Sequence, residues 1–176
     1  VTIQSALDGI CVWFGGPYDP TTRTYRSSPV PGVGVVRRGW PKRDNHADYF
    51  QGLPAASRTG CQIVVHIPSD RETRKALGGA TSGIKRGAYI VELHCYIRSR
   101  TPHAEDAQDD VYALRDALKV RLRQDRTLGA AVFQAGEAID GEHSWIECEY
   151  GQPETKDELT KSYLMMRFGA TEYLEA

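Results

Sequence analysis

The stretch Ala88–Ser99 constrains the fold more than any other part of the chain. Tyr89, Val91, Leu93, Cys95 and Ile97 fall on one side of it, and Ile90, Glu92, His94, Tyr96 and Arg98 on the other. Side chains of a strand alternate between faces, so this pattern predicts a strand with one face in a core and the other polar. A lone strand cannot bury that face; it needs sheet partners and a covering layer. One partner is Cys61–Ile67, which places Cys61, Ile63, Val65 and Ile67 on a single side. The cover is supplied after Thr101-Pro102, where residues 104–126 carry Ala107, Val111, Leu114, Leu118 and Leu122 as one apolar stripe at helical spacing. Glu105, Asp106, Asp109 and Asp110 crowd the start of this helix and Arg121, Arg123 and Arg126 its end, both matching the helix dipole.

The remaining elements read more weakly. Ile3, Leu7, Ile10, Cys11 and Phe14 predict an amphipathic helix over 2–14, ended by Gly15-Gly16-Pro17. Residues 15–60 hold 7 Gly and 6 Pro and read mostly as loop, with one short strand at Gly34–Arg38. So long an irregular stretch suggests an arm lying along a partner, because Tyr18, Tyr25, Trp40, Tyr49 and Phe50 within it need cover. Ser69-Asp-Arg-Glu72 has the form of a capping box and predicts a short helical turn to Leu77, followed by a hairpin tip at 78–83. Three strands near 131–137, 143–150 and 160–169 close the chain, the last with Leu164, Met166 and Phe168 on one side. Gly151-Gln-Pro153 and the charged residues 154–158 form the turn between the final two.

This order predicts an α+β fold: a mostly antiparallel sheet packed by an N-terminal helix and one long helix, as a single domain over 1–176. With 176 residues and 40% hydrophobic content the chain has enough for one core without staples. No apolar run approaches the roughly 18 residues of a membrane span, and Val1–Gly16 lacks the pattern of a secretion signal, so no membrane partner is expected. Cys11, Cys61, Cys95 and Cys148 are 50, 34 and 53 residues apart, without metal spacing, and read as buried reduced thiols.

Chemistry is sparse. His66 and His94 sit on the polar sides of two strands, and Glu92 shares a side with His94; together they make a possible metal-ligand set. The simpler reading is decoration of a solvated sheet face, so no metal or cofactor is expected. Residues 78–85 miss the spacing of a phosphate-binding loop, and no nucleophile motif is present. Glu147 and Glu149, with His143, are the residues a small metal-dependent nuclease would use, but nothing in the sequence marks a further converging group. No enzymatic activity is expected.

Charge is unevenly placed. The net charge of −1 argues against tight binding of nucleic acid. Residues 21–86 nevertheless contain 12 Lys/Arg and 4 Asp/Glu, whereas residues 127–176 contain 10 Asp/Glu and 3 Lys/Arg. A subunit with one basic and one acidic side joins head to tail, and a heterologous contact that closes makes a ring. Arg71, Arg74, Lys75, Lys85 and Arg86 mark a basic loop; Glu137, Asp140, Glu142, Glu147 and Glu149 mark a candidate acidic interface.

The run Tyr89-Ile-Val-Glu-Leu-His-Cys-Tyr-Ile97 leads through His103-Ala-Glu-Asp-Ala107 into Val111-Tyr-Ala-Leu-Arg-Asp-Ala-Leu118 and Leu122-Arg-Gln-Asp-Arg-Thr-Leu128. Ile146-Glu-Cys-Glu-Tyr150 and Tyr163-Leu-Met-Met-Arg-Phe168 follow. In layout, over roughly residues 61–170 and the opening helix, this resembles the tail terminator (tail completion) proteins of long-tailed, siphovirus-type bacteriophages. The resemblance implies a structural virion protein of the tail or neck, assembled in the host cytoplasm. It implies a homo-oligomer, a hexameric ring, that caps the tail tube, ends tube polymerisation and offers the head-joining surface. Its partners would be the tail tube protein and the head–tail connector or stopper, with DNA passing through the lumen without specific binding. The basic loop would then face lumen or tube, and the aromatics of residues 15–60 would serve as an inter-subunit or neck arm. Another neck protein, such as a head-completion or stopper ring, a tail tube subunit or a generic cytosolic binding protein are the competing readings.

Overall fold

The computed structural model describes residues 2–76, 83–139, 141 and 143–175, the last of these by its backbone alone. It is α+β: a mixed, mostly antiparallel sheet with three helices. The first helix, α1 (Ile3–Gly15), begins at a capping box in which Thr2 and Ser5 bond reciprocally, and it stops at Gly16, whose φ of 81° favours glycine. Strands β1 (Tyr18–Asp19), β2 (Thr24–Arg26) and β3 (Val33–Arg37) then build one edge of the sheet. A single turn of helix, α2 (His46–Tyr49), leads into a long hairpin of two 16-residue strands, β4 (Thr59–Arg74) and β5 (Ile84–Ser99). The long helix is α3 (Ala104–Gln124). After it come β6 (Gln134–Ala135), a 3-10 turn at Gly136–Ala138, β7 (Ile146–Tyr150), β8 (Glu154–Lys156) and β9 (Leu159–Glu175).

The strands lie in the order β1-β2-β3-β4-β5-β9-β6, and β7 and β8 also pair along β9. Among the described residues only β3 and β4 pair parallel. The core face is the one read from the sequence: Cys61, Ile63 and Val65, then Val91, Leu93, Cys95 and Ile97, then Leu164, Met166 and Phe168, all buried. Ala6, Ile10, Cys11 and Phe14 of α1 cover it together with Val111, Leu114, Leu118 and Leu122 of α3. Phe14 and Phe168 meet with ring centroids 6.4 Å apart.

Several expectations are corrected. Residues 15–60 form three strands and a helix rather than one strand in an arm, and Tyr25 and Tyr49 are buried within their own fold. Two-residue strands and a four-residue helix lie below what periodicity can reveal. Residues 69–74 continue β4 instead of turning into helix, because they pair with 85–90 in the long hairpin. A capping box is a local preference, and the ladder overrides it. The register shifts between His66 and Ser69, the place occupied by Ile67-Pro68. Proline lacks the N–H that a regular ladder needs, so a bulge accommodates it. The strand expected at 131–137 shrinks to β6, and the charged segment 154–158 contributes β8 before its turn. Residues 78–82 of the expected hairpin tip lie outside the described residues.

The long helix ends at Gln124, two residues before the expected boundary. Asp125 stops it: its Oδ1 accepts from the Thr127 N–H and hydroxyl, both at 2.8 Å, and its Oδ2 from the Gly129 N–H at 3.0 Å. The Thr127 amide and hydroxyl and the Gly129 amide hold the Asp125 carboxyl below its ordinary value of 3.8. A carboxyl whose pKa is depressed by folding stabilises fully above its unfolded value and loses that contribution as pH falls through the folded one. Asp125→Ala is therefore expected to lower Tm near neutrality, with the gap to the parent narrowing once the pH drops below 3.8. Thermal unfolding followed by circular dichroism across that range checks it.

Candidate functional site

The second face of the sheet is where the polar residues gather. On β5 the residues Arg86, Ala88, Ile90, Glu92, His94, Tyr96 and Arg98 point to this side, and the register extends the pattern across neighbouring strands. One row runs His66, Glu92, Arg167, Glu147 through β4, β5, β9 and β7; the next runs Val64, His94, Met165, Glu149. Residues directly opposite across an antiparallel pair have Cβ atoms about 5 Å apart, so each row is a line of side-chain contacts.

These contacts make a connected polar cluster. Glu92 is buried, at 7% exposure, not solvated as the sequence suggested. Its Oε1 accepts from Arg167 Nη2 at 2.6 Å and Nε at 2.9 Å. Its Oε2 lies 3.1 Å from His94 Nε2 and 3.6 Å from His66 Nδ1. His94 Nδ1 and the Tyr163 hydroxyl share a hydrogen bond of 2.6 Å. Arg167 also reaches Glu147, Nη1 to Oε2, at 3.6 Å. Burial raises the Glu92 pKa, but the hydrogen bonds and charges of Arg167 and His94 outweigh it and leave the carboxyl below its ordinary value. Burial also pushes the Tyr163 hydroxyl up to about 12, keeping it protonated.

Trp40 closes one side of this cluster. Its ring centroid is 5.1 Å from that of His66 and 5.2 Å from that of His94, and its Nε1 donates to the Tyr96 hydroxyl at 3.0 Å. The loop carrying Trp40 is pinned by Arg98, which is ion-paired with Asp44, bonded to His46 Nδ1 at 2.8 Å and stacked 4.1 Å from the Tyr49 ring centre. Phe50 is anchored in the same way by Arg100, 4.1 Å from its ring centre. Trp40 and Tyr18 remain about half-exposed.

The basic loop separates into two groups. Arg71, Lys75 and Arg86, with Thr73, Ala88 and His143, line a shallow cleft of about 190 Å³ on the polar face. Arg74 and Lys85 oppose each other in the register one step away, on the face that carries Tyr89. The period of two, which the helical reading of 69–77 concealed, divides them. Of the acidic candidates, Glu137 is paired with Arg123 at 2.8 Å, Glu147 with Arg167, and Glu149 is exposed opposite Met165. Asp140 and Glu142 lie outside the described residues. His143 sits against Gly169 and the basic cleft, while Arg167 stands between Glu147 and Glu92.

Some of the segregated charge cancels within the fold. Arg26, Arg37, Arg38 and Arg58 pair with Asp19, Asp48, Asp8 and Asp110. Basic side chains outside these four pairs include Arg23 and Lys42, which line a pocket with Tyr18 and Trp40, and Arg71, Lys75 and Arg86, which line the cleft on the hairpin, whose strand β4 also carries Asp70 and Glu72. All four cysteines are free; three are buried and Cys148 is partly exposed. Among the described residues no helix is long and apolar enough to cross a membrane.

Sequence reasoning missed Arg167, Tyr163 and Trp40 as members of the cluster. The alternation that puts Leu164, Met166 and Phe168 in the core places Tyr163 and Arg167 on the opposite face, so two of the three were open to inference. Comparison with protein-family models and with curated proteins gives no match to this chain.

Proposed function

We propose that this chain is the subunit of a ring that caps the tail tube of a long-tailed bacteriophage, ends tube polymerisation and presents the head-joining surface. The observation that carries this reading is the far end of the β4–β5 hairpin. Beyond Ile67 most of β4 is exposed, and its polar face holds the Arg71–Lys75–Arg86 cleft. A long, ordered and charged sheet extension with so little of its own chain over it suits contact with another subunit better than enclosure of a small molecule. The layout of an N-terminal and a long helix over one face of the sheet also agrees with the resemblance.

Glu147 and Glu149, exposed on β7, supply the acidic counterpart. In the ring the basic cleft of one subunit meets the acidic strand of the next, a heterologous contact, and closure rather than open growth distinguishes a terminator from a tube subunit. Tyr18 and Trp40 are the remaining exposed aromatics of residues 15–60 and complete the contact. If the basic cleft faces a lumen, its attraction for DNA is weak and falls steeply with salt, as passage requires.

Native mass spectrometry and negative-stain microscopy of the purified chain test this. Closed rings of one stoichiometry are expected, and the double reversal Arg71→Glu with Lys75→Glu is expected to shift them to monomer at unchanged circular dichroism. Long open tubes would favour a tube subunit. A monomer at all concentrations would end the ring reading, and magnesium-dependent plasmid cleavage lost in Glu147→Ala would replace it with a nuclease.

A further inference from the structure

We propose that His66, Glu92 and His94 form a binding site for a divalent transition-metal ion of the zinc class. One ligand atom from each residue lies within 4.8 Å of the other two. His66 Nδ1 is buried without a hydrogen-bond partner, although its ring is otherwise partly exposed. An imidazole nitrogen withdrawn from water and left unbonded is costly unless something else accepts its lone pair.

The spacing suits a metal. Bonds of about 2.0–2.1 Å in a tetrahedral shell place neighbouring ligand atoms about 3.3 Å apart. Glu92 Oε2 stands 3.1 Å from His94 Nε2 and 3.6 Å from His66 Nδ1, on either side of that value. Side-chain rotations that draw the two imidazole nitrogens, which lie within 4.8 Å of each other, to the same separation complete one coordination sphere and leave a fourth position for water.

The surrounding residues orient each ligand. Arg167 holds Glu92 Oε1, so Oε2 is the oxygen turned towards the imidazoles. The Tyr163 hydroxyl fixes His94 Nδ1. When Nε2 gives its lone pair to the metal, Nδ1 carries the proton and donates it to that hydroxyl oxygen. Histidine ligands ordinarily have such an outer partner, which sets the tautomer. Arg167 brings a positive charge close to the site, but it is shared with Glu147, so the group of Glu92, Arg167 and Glu147 retains one net negative charge. Trp40 packs over both imidazoles and limits the approach of water. The bulge that begins at His66 adds a reason for the ion: a metal bridging β4 to β5 restrains the ladder where its register shifts.

The full chain, stripped with EDTA and titrated with Zn²⁺ by calorimetry and with Co²⁺ by absorbance, tests this. One ion per chain is expected, with Co²⁺ bands of a four- or five-coordinate nitrogen–oxygen site and a zinc-dependent rise in Tm. His66→Ala, at a partly exposed position, and His94→Gln each remove a ligand and are expected to weaken binding by about 100-fold or more, and Tyr163→Phe, which removes an outer partner, by about 10-fold. Absence of a 1:1 ion, binding that survives His66→Ala combined with His94→Gln, or a thiolate charge-transfer band pointing to the cysteines would each overturn the assignment. None of these readouts depends on ring formation.

Discussion

Phe168→Ala is expected to cost about 3–5 kcal/mol, the usual range for removing a buried aromatic ring from a packed core. Phe168 is fully buried at the centre of the molecule, opposite Val91 on one neighbouring strand and Ile146 on the other, and its ring packs against Phe14 of α1. No single element can collapse into the space, because strands on both sides hold the backbone apart. For a chain of this size each kcal/mol moves Tm by about 2–4 °C, so a fall of roughly 10 °C is expected in a thermal melt. Tyr173, on the same strand but 47% exposed, provides the contrast. Its loss removes an edge contact with Phe133, worth about 1 kcal/mol.

Gly34→Ala is expected to be nearly as damaging, by about 3 kcal/mol, although it adds one methyl group. A Cβ at this position would lie 2.3 Å from the Asp48 carbonyl oxygen and 2.5 Å from that of Tyr49. Both are backbone atoms of α2, which cannot rotate aside. Gly60 on the adjoining β4 faces the same carbonyl of Tyr49, with a Cβ distance of 2.5 Å, so two glycines make the seat on which α2 rests. Displacing α2 also loosens Asp44, His46 and Tyr49, the residues Arg98 clamps beside Trp40. The substitution should therefore lower Tm and increase hydrogen exchange across 38–50 together. Gly39→Ala, which meets nothing within 4 Å, should change Tm by less than about 0.5 kcal/mol equivalent. Equal effects at the two glycines would refute this account of the seat.

The candidate site was only half legible. His66, Glu92 and His94 were identified as one possible ligand set because strand periodicity put His94 beside Glu92. The pairing of His66 with Glu92 was a matter of register, which a bulge at Ile67-Pro68 resets and which no local pattern states. Burial of Glu92 was likewise hidden, since it follows from Arg167 in a strand 75 residues away and from the cluster that Trp40 closes. The way the basic loop faces is hidden for the opposite reason. A strong local motif, Ser69–Glu72, suggested a helix, and only the hairpin ladder shows that Arg71 and Arg74 face different ways.

The sequence by itself determined the layers. Strict alternation over β5 and a stripe at 3.6-residue spacing over α3 each demand one buried face, and the two faces can be satisfied only against each other. Those patterns are local, and they carried through to the core residues. Only the tertiary structure decided what the polar face became. Which strands are neighbours, where the register shifts, and whether residues 15–60 fold back on the sheet depend on contacts between distant segments, which leave no periodic trace. It is those contacts that gather two histidines and a carboxylate under Trp40 and leave the Arg71 cleft at the far end of the hairpin.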